Sequence, residues 1–298
     1  MEYHSPVLLN ESVEGLNVDP NGIYVDLTFG GGGHSGEILK KIKKGKLFAF
    51  DQDEDAEKNA ISDKRFRFIR SNFRFFYNFL RYENIKSVDG ILADLGVSSH
   101  HFDSEDRGFS FRHEGELDMR MDRNAKTDAK HILNNYTEQE LMRIFREYGE
   151  LDNARKVSQL IVHHRIEKEL KTIGQLKEAL VSCYKPHTEH KFLAKVFQAL
   201  RIEVNGEINV LKAMLQQTLL ALKPGGRLVI ISYHSLEDRV VKNFIKSGNF
   251  EGKVEQDLYG KTNAPFELIN RKVIVPDEAE IEMNPRARSA KLRIAQKI

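Results

Sequence analysis

Short apolar runs alternate with amphipathic segments along the first third of the chain. The apolar runs are GIYVDLTF, KLFAFD, RFRFIRSN and DGILADLG, and each is bounded by polar or turn-forming residues. The segments between them predict helices over Ser35 to Lys43, Asp55 to Ala60 and Phe75 to Tyr82. Strands that alternate with helices and are apolar on both faces are typical of a parallel sheet covered by helices. The sequence therefore predicts an α/β fold.

Beyond Arg107 the strand pattern stops, and apolar positions recur every three or four residues. Two segments begin with the pattern of a capping box, Thr137 with Glu140 and Thr172 with Gln175, and each precedes an apolar helical stripe. The apolar side chains of these stripes, such as Phe197 and Tyr148, are assigned to packing. This region therefore predicts a small helical domain with its own core.

The α/β pattern returns after the helical region. A helix over Ile208 to Leu222 is followed by the strand RLVIIS, and two extended runs, Phe266 to Val275 and Ala290 to Ala295, are expected to form an antiparallel edge hairpin. The sequence thus predicts a sheet domain interrupted by an inserted helical domain. The predicted bounds are 1–108 and 207–298 for the sheet domain and 109–206 for the all-helical insertion.

The composition narrows the class of protein. With 298 residues and 40% hydrophobic content, the chain can bury a large core. There is no run of about 18 apolar residues to cross a membrane, and the single cysteine, Cys183, cannot form an intrachain disulfide, so a cytoplasmic protein is expected. The net charge of +2 is small, but basic residues cluster in three runs that favour an RNA or phosphate surface. The runs lie at Lys40 to Lys46, Arg65 to Arg74 and Arg286 to Arg293.

The most informative local motif joins the first predicted strand to the first helix. Four consecutive glycines, Gly30 to Gly33, follow the strand. Glycine tolerates positive φ and lets a ligand approach the main chain, and the helix that follows offers unpaired N–H groups. About 20 residues later the next strand ends on Asp51, whose carboxylate can accept both hydroxyls of a ribose. A tight turn alone would also favour glycine, but together these features predict an adenosine or dinucleotide ligand.

Longer motifs resemble one family over nearly the whole chain. The motifs are HSPVLLNE at His4 to Glu11, DLTFGGGGHS at Asp26 to Ser35, DLGVSS at Asp94 to Ser99, RGFSF at Arg107 to Phe111, LDMRMD at Leu117 to Asp122, FQALRIEVN at Phe197 to Asn205, LKPGGRL at Leu222 to Leu228, SYHSLEDR at Ser232 to Arg239 and NPRARSAKLR at Asn284 to Arg293. In these motifs the chain resembles the RsmH (MraW) family of bacterial methyltransferases, which modify N4 of a cytidine in the decoding region of 16S ribosomal RNA.

The resemblance implies a class I, Rossmann-like methyltransferase sheet with an inserted all-helical, RNA-recognising domain, and S-adenosylmethionine as the cofactor. The resemblance implies that the glycine main chain would approach the methionine part, Asp51 would hold the ribose, Phe73 would pack on adenine, and Asp94 would lie beside the methyl group. His101 stands where the family usually has glutamine. The cofactor-binding positions carried over are Gly32, Gly33, His34, Asp51, Phe73, Asp94 and His101.

Three residues are candidates for the chemistry. Methyl transfer to an exocyclic amine needs a hydrogen-bond acceptor near the nitrogen. Asp94 is the first candidate for this acceptor, and the carbonyl groups of residues 95–97 are the alternatives. Tyr233 and His234, at the end of a late strand, are candidates to receive a base that has left its stack. Glu237, Asp238 and Arg239 are expected to fix that loop through ion pairs. No metal site is expected, because Cys183, His187 and His190 lack a fourth ligand.

The partner implied by the resemblance is 16S rRNA within the small ribosomal subunit. The sequence is also compatible with a homodimer. Two other functions remain as alternatives. The spaced glycines with Asp51 also suit an NAD-dependent oxidoreductase. A non-catalytic RNA-binding factor for ribosome assembly would keep the fold without turnover.

Overall fold

A computed structural model of the chain describes residues 6–96, 107–254, 263–270 and 272–298. Backbone contacts divide the chain into two compact units. The first comprises residues 1–96 and 208–298, and the second comprises residues 97–207. The sequence places these boundaries at 108/109 and 206/207. The two divisions differ by 12 residues at the first boundary, since 108 minus 96 is 12, and by one at the second.

The first unit contains a seven-stranded sheet in the order β3-β2-β1-β4-β5-β7-β6. The first five strands in this order are parallel to one another, whereas β7 runs antiparallel to both of its neighbours, β5 and β6. This arrangement confirms the predicted Rossmann-like α/β fold class. The strands are β1 Ile23–Asp26, β2 Lys46–Asp51, β3 Phe66–Arg70, β4 Val88–Asp94, β5 Leu222–Ser232, β6 Phe266–Leu268 and β7 Lys291–Lys297.

The helices are numbered here along the described parts of the chain. They are α1 Leu9–Gly15, α2 Gly33–Lys41, α3 Glu54–Glu57, α4 Phe76–Tyr82, α5 Ala129–Asn135, α6 Glu138–Glu147, α7 Ala154–Glu167, α8 Ile173–Leu180, α9 Glu189–Asn205, α10 Glu207–Ala221, α11 Ser235–Ser247 and α12 Glu278–Met283. Short 3-10 turns cover Phe73–Phe75, Val181–Cys183, Pro186–Thr188 and Pro285–Ser289. Within the described residues, no helix is both long and apolar enough to cross a membrane.

The sheet is buried on both faces, as its apolar strands predict. Along β4, Ile91 and Ala93 belong to one apolar cluster, whereas Leu92 between them belongs to a second. Successive side chains of a strand point to opposite faces, so the two clusters cover the two sides of the sheet. The neighbouring strands β2, β1 and β4 are parallel, so their carboxyl ends meet at one edge of the sheet. Each of these strands ends in an aspartate.

The second unit has a helical core of its own. Both predicted capping boxes are present: Thr137 caps α6 together with Glu140, and Thr172 caps α8 together with Gln175. The predicted packing role of Phe197 is also confirmed, since this side chain is 4% exposed within the helical cluster. Local start signals and helical periodicity thus predicted these elements from the sequence.

The predicted edge hairpin is only partly correct. The strand expected over Phe266 to Val275 ends at Leu268, and Ile274 makes a single bridge to Leu292. The acidic connection between the two extended runs contains α12. Asp277 caps that helix by accepting a hydrogen bond from Glu280 N at 2.8 Å, and acidic residues in the first turn favour a helix start.

Candidate functional site

The glycine turn lies between β1 and α2 and is open on one side. Gly30 and Gly32 have positive φ values of 50° and 78°, as the sequence predicts for a turn that needs glycine. Asn59 Nδ2 donates to the carbonyl of Gly30 at 3.0 Å and fixes the turn. Among the described residues other than its two chain neighbours, no atom lies within 4 Å of the position that a Cβ on Gly30 would take. A ligand can therefore approach the main chain there.

Asp51, at the end of β2, is tied to this turn. Its Oδ2 accepts from Gly30 N at 2.8 Å, and its Oδ1 accepts from Asp53 N at 2.9 Å. These bonds fix the carboxylate at the carboxyl edge of the sheet. A carboxylate oxygen can accept more than one hydrogen bond, so this geometry is compatible with the expected contact to ribose hydroxyls.

Phe73 follows the end of β3, the strand next to β2. The side chain of Asn72, which caps the 3-10 turn containing Phe73, donates to Gln52 Oε1 at 2.7 Å. This bond joins the ends of the two strands. Phe73 is partly buried against the sheet core, and it lies at the same edge of the sheet as Asp51.

His34, the second residue of α2, is enclosed by protein. It is 5% exposed, and burial lowers the pKa of its ring to about 4, against the opposing effect of a hydrogen bond with the main chain of Val7. The ring is therefore neutral at physiological pH. Among the described residues, His34 Nε2 has no hydrogen-bond partner, which leaves a buried polar atom that a bound group could satisfy.

Asp94, at the end of β4, is held by two hydrogen bonds. Tyr233 Oη donates to Asp94 Oδ1 at 2.8 Å, and Asp94 N donates to Thr28 Oγ1 at 2.7 Å. Asp94 as a residue is partly exposed, but its carboxyl group is enclosed. Burial raises the pKa of Asp94 to about 7, assisted by the charges of Asp26 and Glu237 and opposed by the Tyr233 bond. Both protonation states of Asp94 are thus accessible near neutral pH.

Asp26, the last residue of β1, supports this edge from within. It is fully buried; its Oδ2 accepts from Ser35 Oγ at 2.7 Å and its Oδ1 from Thr28 N at 3.1 Å. Burial raises the pKa of Asp26 to about 6. Asp26 therefore ties the end of β1 to the start of α2. Thr28 was not predicted as part of the site. Its hydroxyl accepts a hydrogen bond from the end of the neighbouring strand β4, and nothing local in the sequence marks such a contact.

Glu237 and Asp238, two of the residues expected to fix the loop after β5, contact His234 and Arg293 there. His234 caps α11, and its Nε2 lies 3.1 Å from Glu237 Oε1. Glu237 is buried, and its Oε2 accepts from Tyr233 N at 3.0 Å. Asp238 accepts two hydrogen bonds from Arg293 of β7, at 2.7 and 3.1 Å. Tyr233 is thereby fixed at both its main chain and its hydroxyl.

The structure brings most of the predicted site residues to one edge of the first unit. Asp94 and Tyr233 are in direct contact, and His234 is linked to Tyr233 through Glu237. His101 lies outside the described residues. The predicted positions that lie at the carboxyl edge or in the turn beside it are Gly32, Gly33, His34, Asp51, Phe73, Asp94, Tyr233 and His234.

A family model described as the MraW methylase family matches residues 1–298. This chain belongs to that family. It is 59% identical to ribosomal RNA small subunit methyltransferase H of Parabacteroides distasonis over 298 residues, which cover 99% of this chain and 98% of the relative. It is 57% identical to the protein of the same name from Flavobacterium johnsoniae, with 100% and 99% covered.

Among solved structures, the chain is similar to a putative methyltransferase from Streptococcus mutans in complex with SAH. The two are 15% identical, the TM-score is 0.44, and 100% of each chain is covered. Membership of the MraW methylase family confirms the resemblance seen in the motifs. It also confirms S-adenosylmethionine as the predicted cofactor in preference to NAD.

The residues of this edge fit such a cofactor on structural grounds. The open side of Gly30 admits a ligand to the main chain, and the Asp51 carboxylate is fixed beside that turn. The buried His34 Nε2 offers a further polar contact. In this MraW family member, the glycine turn, Asp51 and Phe73 would hold S-adenosylmethionine, which supplies the methyl group when bound.

Proposed function

We propose that this protein transfers a methyl group from S-adenosylmethionine to N4 of a cytidine in the decoding region of 16S rRNA. The observation that carries the proposal is the Asp94 carboxyl group, which has a pKa near neutrality and a fixed hydrogen bond to Tyr233. It lies at the same sheet edge as the glycine turn and Asp51. Relatives named as small subunit rRNA methyltransferases support the substrate class.

The chemistry follows from this geometry. The cytosine amino group is conjugated with its ring, so its lone pair is a poor nucleophile. A carboxylate that accepts a hydrogen bond from this group favours the pyramidal, nucleophilic nitrogen and can take the proton released on methylation. Asp94 Oδ2 is the proposed acceptor, because Tyr233 already donates to Oδ1.

Tyr233 positions this acceptor in the proposed mechanism. Its hydroxyl bond to Asp94 and the bond from its main chain to Glu237 hold the carboxyl group in one orientation. A Cβ on Gly96 would lie 3.4 Å from the Tyr233 ring, so the ring packs on the main chain that follows β4. His234, whose ring faces Glu237, is proposed to support the same loop and to border the incoming base.

The helical unit is proposed to recognise the RNA. It has an apolar core of its own and so can present a second surface without support from the sheet. Because the target cytidine belongs to a folded RNA, contacts beyond a single base are needed to select it.

The test of the proposed function is methyl transfer to purified small subunits from a bacterial strain that lacks this activity. We expect labelled methyl from S-adenosylmethionine in 16S rRNA, and N4-methylcytidine from the decoding region after nuclease digestion and mass spectrometry. Subunits from the wild-type strain, already methylated, serve as the control and should accept little label. A methyl group on another atom or another RNA would contradict the proposed specificity.

A pH profile tests the role of Asp94. The proposed acceptor must be ionised, so kcat/KM should rise with pH through about 7, the pKa of Asp94. In Tyr233→Phe the phenol no longer donates to the carboxylate, and loss of that bond raises the pKa of Asp94. The rising limb should therefore move to higher pH. Tyr82→Phe is the control, because Tyr82 is 80% exposed. If the rising limb of the Tyr233→Phe profile stayed at the wild-type pH, the assignment of this limb to Asp94 would be contradicted.

A further inference from the structure

The segment that precedes α1, residues 6–8, packs against the cofactor-binding turn. A Cβ on Gly33 would lie 2.1 Å from Pro6 Cγ, so the Pro6 ring occupies the space beside that glycine. The main chain of Val7 is hydrogen-bonded with the buried ring of His34. Two neighbouring residues of the segment thus contact two neighbouring residues of the turn. The position of the turn depends on where this segment is held.

Leu8 is the anchor of the segment. Its φ of 50° and ψ of 42° are left-handed, a conformation that a residue with a Cβ adopts only when its surroundings enforce it. The Leu8 side chain is 2% exposed, and its carbonyl accepts from Ser12 N at 2.9 Å in the first turn of α1. The Leu8 N–H points the other way and donates to Glu280 Oε1 at 2.7 Å.

Glu280 reaches Leu8 from the opposite end of the chain. It lies on α12, in the connection between β6 and β7, and 272 residues separate it from Leu8. A carboxylate that accepts from a main-chain N–H forms a charge-assisted bond, which is stronger than a neutral one. This bond satisfies the N–H of a residue whose backbone conformation is otherwise unfavourable.

We propose that Glu280 is a positioning residue for cofactor binding: by fixing Leu8, it holds Pro6 and Val7 against Gly33 and His34 and thereby maintains the turn in its binding conformation. The inference rests on the proposed role of this turn. Glu280 acts through the main chain of the segment, so its effect appears in cofactor affinity rather than in the chemical step.

Titration calorimetry with S-adenosylmethionine tests this. Glu280→Ala should raise the Kd about tenfold, the effect of losing one charge-assisted hydrogen bond. Glu280→Gln keeps an acceptor oxygen and should recover most of the affinity. Glu282→Ala is the matched control, because Glu282 is an exposed residue of the same helix. At saturating cofactor, kcat for methylation of small subunits should stay within about twofold of wild type in all three variants.

Hydrogen exchange of the N-terminal segment supplies a second measurement. In Glu280→Ala, amides of residues 6–16 should exchange faster, whereas those of the helical unit should not change. An unchanged Kd in Glu280→Ala would overturn the inference, and so would a raised Kd with unchanged exchange. If the wild-type protein itself failed to bind S-adenosylmethionine, the proposed function would fall instead, so the two failures are distinguishable.

Discussion

Asp94→Ala is expected to lower the rate of methyl transfer by a factor of about 10²–10⁴, the usual range for a positioned acid or base. The variant removes both the hydrogen-bond acceptor for the amino group and the acceptor for its proton. RNA binding should be largely retained, because a single buried carboxyl group at the sheet edge contributes little to the electrostatic attraction of RNA. The measurement is single-turnover methylation of small subunits at saturating S-adenosylmethionine.

Asp94→Asn separates proton transfer to Asp94 from hydrogen bonding alone as the cause of this loss. Asparagine keeps an oxygen that can accept a hydrogen bond but cannot take a proton at neutral pH. A rate as low as that of Asp94→Ala assigns proton transfer to Asp94, whereas a rate near wild type would contradict that assignment. Asp89→Asn is the control on the same strand. Asp89 lies near the other end of β4, where its carboxylate bonds to Ile23 N and Lys223.

Gly33→Ala is expected to weaken cofactor binding by a factor of about 10–100, which corresponds to an overpacking cost of about 1–3 kcal/mol. The added methyl group would lie 2.1 Å from Pro6 Cγ, so either the segment or the turn must move. The Kd for S-adenosylmethionine, measured by calorimetry, reports the loss.

Gly36→Ala is the matched control three residues along the same helix. In the described parts of the chain, no atom outside the backbone of its own helix lies within 4 Å of the position of its added Cβ. Alanine is the better helix former, so the free energy of unfolding should rise by up to about 1 kcal/mol while the Kd stays near that of wild type. A Gly33→Ala variant that bound cofactor as tightly as Gly36→Ala would contradict the packing explanation.

Local patterns predicted most of the fold. A short apolar run or a periodicity of 3.6 residues is a property of each segment, so most strands and the helices α6 and α8 could be recognised before any contact was known. The strand-end aspartates Asp26, Asp51 and Asp94 lie at one edge because parallel strands end together. The motif resemblance then added the family and its cofactor.

The contacts that organise the site could not be predicted from local patterns. Tyr233 and Asp94 are 139 residues apart in the chain, and their bond depends on the register of β4 and β5. A strand pattern does not specify its neighbour, so the sequence supplied both residues but not their contact. For the same reason, Tyr233 was assigned to base stacking, without its bond to Asp94.

The pairing of β4 with β5 has a consequence for folding during synthesis. β4 ends at Asp94 and β5 begins at Leu222, so more than a hundred residues must leave the ribosome before these neighbours can pair. Until then the edge of β4 that will pair with β5 is unpaired and mostly apolar, and such an edge is prone to association with other chains. Helix formation in the intervening region requires only local contacts and can proceed meanwhile. Completion of the sheet, and with it the bond from Tyr233 to Asp94, is therefore a late event in the maturation of this protein.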